Sequence, residues 1–173
     1  LGSSERNKNQ QEDMKIVWGG PSKLDYISIW FLKASKYIKG RNAKFGFVST
    51  NSINQGEQVS LLWPHIYSQD LEIFFAYGSF KWTNVAKHKA GVTCSIIGVS
   101  NINKSIKLIY KGEKRREVKS INSYLTSGKN YIICRRRKSL SNLPTITLGD
   151  MPRDNGHLVL LPEEKNKLLN TYP

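Results

Sequence analysis

Three aromatics, three lysines and a histidine are interleaved in Tyr77-Gly-Ser-Phe-Lys-Trp-Thr-Asn-Val-Ala-Lys-His-Lys89. Aromatic faces stack on nucleobases at about 1–3 kcal/mol per base, and cations beside them hold phosphates. Lys81, Lys87, His88 and Lys89 fit that second role, although a charge run is more often a solvated face. A second basic run, Arg135-Arg136-Arg137-Lys138, follows Asn130–Cys134, which reads as a short strand. Four cations at a strand end suit phosphate contacts, which add affinity without sequence information. A nuclear-localisation reading of the same run finds little support elsewhere in the sequence.

The net charge is +14, and residues 101–140 hold seven Lys and five Arg against two Glu, a local balance of +10. Such a field attracts a phosphate backbone or an anionic membrane. No apolar run approaches 18 residues, and no signal peptide or basic amphipathic membrane helix is present. Nucleic acid is therefore the favoured partner, with charge serving only solubility as the bland alternative. Cys94 and Cys134 lie 40 residues apart, which is neither a metal spacing nor a disulfide framework. His65, His88 and His157 are scattered, so neither zinc nor a triad is indicated, and a reducing, cytoplasmic setting is expected.

Positioning these groups requires a core, and 39% hydrophobic residues with four Trp can supply one. At 173 residues there is room for one domain, or for a piece of one with a neighbour's beginning. The chain begins with Leu1 and stops at Tyr172-Pro173 just after a helical pattern, and it reads as a fragment. Residues 1–13 are polar and aperiodic and predict a flexible tail; Met14–Trp18 reads as a short strand or turn. Ser22 and Asp25 have capping-box spacing, and Leu24, Ile27, Phe31, Ala34 and Ile38 mark one face of a helix ended by Gly40. The apolar run Phe45–Val48 reads as a buried strand and breaks into Ser49-Thr50-Asn51-Ser52. Asn54 with Glu57 then opens a helix that ends around Pro64. Strand, polar turn, helix is the unit in which open α/β sheets place ligands at strand carboxyl ends.

Leu71–Ala76 and Ala90–Val99 are two further strands with no helix between them, joined by the aromatic linker of about 13 residues; Ile106–Tyr110 reads as one more. Residues 111–120 (KGEKRREVKS) read as a linker or surface strand marking a domain boundary, and Pro162–Asn170 reads as a helix. The expected organisation is thus a tail (1–13), an α/β domain (14–111), and a linker with the start of a second domain (112–173).

Asp25-Tyr26 opening an amphipathic helix, Phe47-Val-Ser-Thr-Asn-Ser-Ile-Asn-Gln-Gly-Glu-Gln58 and Phe80-Lys-Trp82 together resemble the amino-methyltransferase region of fused type II restriction–modification polypeptides typified by MmeI. Ile121–Leu125, Leu148–Pro152 and Pro162–Lys165 extend the resemblance toward a target-recognition domain. It implies the C-terminal half of a Rossmann-like class I S-adenosylmethionine-dependent methyltransferase sheet, whose last strand is inserted antiparallel, and the beginning of a mixed recognition domain. It further implies methyl transfer from S-adenosylmethionine to adenine N6 in double-stranded DNA, with the base swung out of the duplex. Phe80 would stack on that base and Trp82 would line its pocket; Asp25 and Tyr26 would lie close to the cofactor's adenine.

Each assignment has a plainer counterpart: Phe80 as a core plug, Trp82 as cover for a sheet edge, Asp25 as a helix cap, and Ser49–Asn51 as turn chemistry. The family's Gly-containing cofactor loop and Asn/Asp-Pro-Pro-aromatic turn are not found in these residues. The chain is therefore expected not to methylate alone, and an exposed edge of a half sheet is expected to favour self-association. A non-catalytic basic nucleic-acid-binding module, or a methyltransferase acting on RNA or a small molecule, remain the alternatives.

Overall fold

A computed structural model describes residues 2–20, 22–82, 91–136, 140–141 and 159–172. The chain forms two compact units, Leu1–Arg135 and Arg136–Pro173. The first holds helices α1 (Lys8–Trp18), α2 (Ser28–Ile38) and α3 (Gly56–Tyr67) and strands β1 (Lys44–Thr50), β2 (Leu71–Trp82), β3 (Val92–Asn101), β4 (Lys107–Lys111) and β5 (Lys114–Val118). The second holds α4 (Pro162–Thr171), a helix with Pro at its start and no buried residue.

The strands form one mixed sheet in the order β1-β3-β2-β4-β5. β3 is antiparallel to both β1 and β2, so those two run the same way and end at a common rim, at Thr50 and Trp82. The Phe45 and Leu71 segments thus share one sheet but are not adjacent strands in it, because β3 lies between them. β2 and β4 pair in parallel, and β5 returns antiparallel through a tight turn at Gly112, whose φ of +59° suits glycine.

Alternation along the strands sends Phe45, Phe47, Ile97 and Val99 to one face, where the helices cover them. Phe31 of α2 meets Phe45 and Phe47 edge-on at 5.9 and 5.2 Å and Trp63 of α3 at 6.1 Å. Phe31 and Trp63 are fully buried, and the indole donates to the Ile53 carbonyl at 2.9 Å. Burying a side chain like Phe31 stabilises by about 3 kcal/mol. On the opposite face a bulge between Ile73 and Phe75 turns both Phe74 and Phe75 over Gly98. A Cβ at position 98 would fall 2.9 Å from the Phe74 ring, so a side chain there would force that ring to move.

Several expectations are corrected. Residues 1–13 are not a loose tail: Ser3–Glu5 is a 3-10 turn and α1 runs through Met14–Trp18, burying Met14 on the core. Asn7 and Gln10 form the capping box that starts α1. α2 begins at Ser28 rather than near Leu24, and α3 continues through Pro64 to Tyr67. Asn54 does not cap α3; it is buried and accepts from the Ser95 hydroxyl at 3.0 Å.

β2 extends past Ala76 to Trp82, so Phe80 and Trp82 lie on a strand rather than in a loop. Residues 112–120 do not leave the domain, because β5 pairs along β4 and Val118, Ile121 and Leu125 join the core. Asn130–Cys134 is not a strand: no strand partner accompanies it among the described residues, and Tyr131 and Ile133 are exposed. Residues 142–158, which include the Leu148–Pro152 part of the resemblance, lie outside the described residues.

Candidate active-site rim

β1 leaves the sheet at Thr50 and passes through a 3-10 turn, Asn51–Asn54, into α3. Burial of Ile53 and Asn54 anchors this turn to the core. The hydroxyls just upstream then meet the segment before α2: Ser52 donates to the Asp25 carboxylate at 2.6 Å and lies 2.9 Å from the Thr50 hydroxyl. Gln58, in the first turn of α3, accepts the Asp25 backbone N–H at 3.0 Å and donates to the Lys23 carbonyl at 3.3 Å and the Asp25 carboxylate at 3.4 Å. Asp25 is therefore the hub of a polar cluster rather than a helix cap. Among the described residues no Lys, Arg or His lies within ion-pairing distance of it. Tyr26 turns its hydroxyl to Asp13 of α1 at 2.6 Å, and that hydrogen bond to a carboxylate raises its pKa above the ordinary phenol value.

Across the rim, a second bulge between Tyr77 and Phe80 redirects the end of β2, a feature over-represented beside active sites. Phe80 is half-buried opposite Cys94, edge-on to Tyr77 at 5.3 Å and 6.3 Å from Trp82. Trp82, 48% exposed, faces Val92. An open depression of about 480 Å³ lies here, lined by Ile27, Val48, Ser49, Thr50, Trp82, Val92 and Cys94. Apolar walls with a few hydroxyls suit a planar heterocycle.

Of the other sequence-derived candidates, Lys81 is exposed on β2. Lys87, His88 and Lys89 lie outside the described residues, as do Arg137 and Lys138. Arg135 pairs with Glu57 of α3 at 3.2 Å, and Arg136 is exposed in the second unit. Among the described residues no three His, Cys, Asp or Glu gather as a metal site, and no helix is long and apolar enough to cross a membrane. Residue-by-residue reading missed Ser52 and Gln58, whose partner Asp25 is 27 and 33 residues away. Their only signal was membership of the string Ser49–Gln58. Lys111, Lys114, Arg116 and Lys119, counted within the +10 stretch and read as linker or surface strand, were not singled out as site residues; they are exposed on the β4–β5 hairpin.

Comparison with known proteins fits this geometry. The family model of the MmeI DNA-methyltransferase domain matches residues 1–111, and that of the MmeI target recognition domain matches residues 127–173. DNA methyltransferase A of Bacillus subtilis (strain 168) is 41% identical over 177 residues, covering 100% of this chain and 20% of that protein. The solved structure of the type IIL restriction–modification enzyme MmeI in complex with DNA is similar with a TM-score of 0.85 and 39% identity. That match covers 99% of this chain and 24% of the other. The chain thus spans a quarter or less of the length of these relatives.

Proposed function

This chain belongs to the MmeI family of DNA methyltransferases, and we propose that a longer polypeptide containing it methylates adenine N6 in double-stranded DNA. In this reading the five-stranded sheet is the C-terminal half of a Rossmann-like class I methyltransferase sheet, β3 being the inserted antiparallel strand. Residues 127–173, which match the target recognition model, lead into target recognition. S-adenosylmethionine supplies the methyl group when bound. The glycine loop and Pro-Pro turn that such chemistry uses are not in this sequence, so the chain alone is inactive and contributes one wall of the site.

The residues present fit the cofactor's adenosine portion in one respect: Asp25 offers an oriented carboxylate that no cation among the described residues pairs with, suited to accept from hydroxyl or amino donors. Tyr26 has its hydroxyl engaged by Asp13 and serves the wall through its ring. On the DNA side, Phe80 stacks on the extruded adenine and Trp82 closes the pocket beside it. Lys81, Lys87, Lys89 and the Arg135–Lys138 run contact phosphates.

The observation that carries this reading is the position of Phe80: half-buried at the common carboxyl-end rim of β1 and β2, rather than sealed in the core. The test is methyl transfer by the whole polypeptide carrying Phe80→Ala. Loss of a stack worth about 1–3 kcal/mol lowers turnover roughly tenfold to a hundredfold with the fold intact; unchanged turnover overturns the stacking role. The exposed cations of the β4–β5 hairpin favour a second reading, a basic binding module without catalysis. That reading predicts salt-dependent DNA binding but no methylation by the whole polypeptide.

A further inference from the structure

We infer that Gln58 and Ser52 are positioning residues that orient the Asp25 carboxylate toward the cofactor, an assignment that rests on the reading of Asp25 given above. Asp25 lies in the irregular stretch before α2, where a side chain has no helix or strand to fix it. Three contacts replace that support. Gln58 grips the backbone N–H at 3.0 Å and approaches one carboxylate oxygen at 3.4 Å; Ser52 donates to the other oxygen at 2.6 Å.

Both grips originate in the core. Gln58 belongs to α3, whose Val59, Leu62 and Trp63 are fully buried, and Ser52 precedes the buried pair Ile53 and Asn54. Asp25 is thus held by the same packing that fixes the end of β1. Its oxygens retain lone pairs, since a carboxylate offers about four acceptor sites and Ser52 takes one of them in a short charge-assisted bond. No cation among the described residues neutralises it. A fixed, uncompensated carboxylate accepts from a ligand's donor with little reorganisation, whereas a free one must be ordered first. Three members of the string Ser49–Gln58 share this role: Ser52 and Gln58 contact Asp25 directly, and Thr50 lies 2.9 Å from the Ser52 hydroxyl.

The experiment is equilibrium binding of S-adenosylhomocysteine to the whole polypeptide by calorimetry. The variants are Asp25→Asn, Gln58→Leu, Ser52→Ala and the double variant Asp25→Asn with Gln58→Leu, each checked for an unchanged melting temperature. Asp25→Asn and Gln58→Leu are each expected to weaken binding about tenfold, Ser52→Ala somewhat less. The double variant is expected to be no weaker than Asp25→Asn alone, because Gln58 acts only through Asp25. If Gln58→Leu weakens binding as much in the Asp25→Asn background as in the wild type, Gln58 acts directly and the positioning role is wrong. If Asp25→Asn weakens binding but Gln58→Leu and Ser52→Ala do not, the positioning role alone falls. If Asp25→Asn leaves binding unchanged, the reading of Asp25 itself falls and takes this inference with it.

Discussion

The two ends of the sheet each hold a polar cluster built around a carboxylate, and they are built oppositely. At the amino end of β2, Glu72 pairs with Lys107 of β4 at 2.7 Å, and the lysine is 1% exposed. Asn103 accepts from the same ammonium at 2.8 and 3.0 Å and donates its backbone N–H to Glu72 at 2.7 Å. Nearby, Asn101 accepts from Gly40 and donates to the carbonyls of Ile38 and Arg41, closing the turn from α2 to β1. The two charges of this cluster, Glu72 and Lys107, partner each other. At the carboxyl end Asp25 is held by neutral groups, with an open, largely apolar depression close by that Trp82 lines. The closed end fastens the sheet, and in the proposed function the open end keeps hydrogen-bonding capacity for a ligand.

The sharpest way to break this comparison is to unpair the closed end. Glu72→Ala leaves Lys107 buried without its counter-ion, a class of change that costs about 3 kcal/mol or more. Chemical denaturation of the 173-residue chain should show the midpoint falling with the slope preserved. Asp25→Asn, at the open end, should cost less than about 1 kcal/mol of stability in the same assay, because its effect falls on binding. Asn101→Ala ranks between them, at about 2 kcal/mol for a lost cap on α2 and its following turn.

Tyr26→Phe should have the smallest effect, a melting temperature lower by about 2 °C at most. Its pH dependence has a defined sign. The folded phenol pKa lies above its ordinary value because Asp13 accepts its proton. The stabilisation is therefore complete below the unfolded pKa of about 10 and disappears as pH rises through the folded value. The difference between Tyr26→Phe and the parent should vanish in strongly alkaline buffer.

What the sequence made legible follows from local rules, and what it hid depends on distant partners. The apolar runs at Phe45, Leu71 and Ala90 declared β1, β2 and β3; the absence of a helix between the last two left antiparallel pairing or separation open, and they pair antiparallel. α1 was hidden because it buries only Met14 and its polar residues show no period, although Asn7 and Gln10 were a readable start signal. The apolar look of Asn130–Cys134 misled because a strand needs an edge to pair with. β5 was obscured by its charges, yet the turn at Gly112 folds it onto β4.

At the site, Phe80 and Trp82 were visible as types, but their place on a strand came from a bulge that no local pattern announces. The capping spacings at Ser22–Asp25 and Asn54–Glu57 were sound local signals. Tertiary partners took both, Ser52 and Gln58 claiming Asp25 and Ser95 claiming Asn54.

The open rim is tested most directly by photocrosslinking. Duplex DNA carrying 5-iodouracil in place of the adenine that the proposed function has methylated is bound to the whole polypeptide and irradiated, and the adduct is mapped by peptide mass spectrometry. The account predicts attachment at Phe80 or Trp82. An adduct confined to residues away from the ends of β1 and β2 would contradict it.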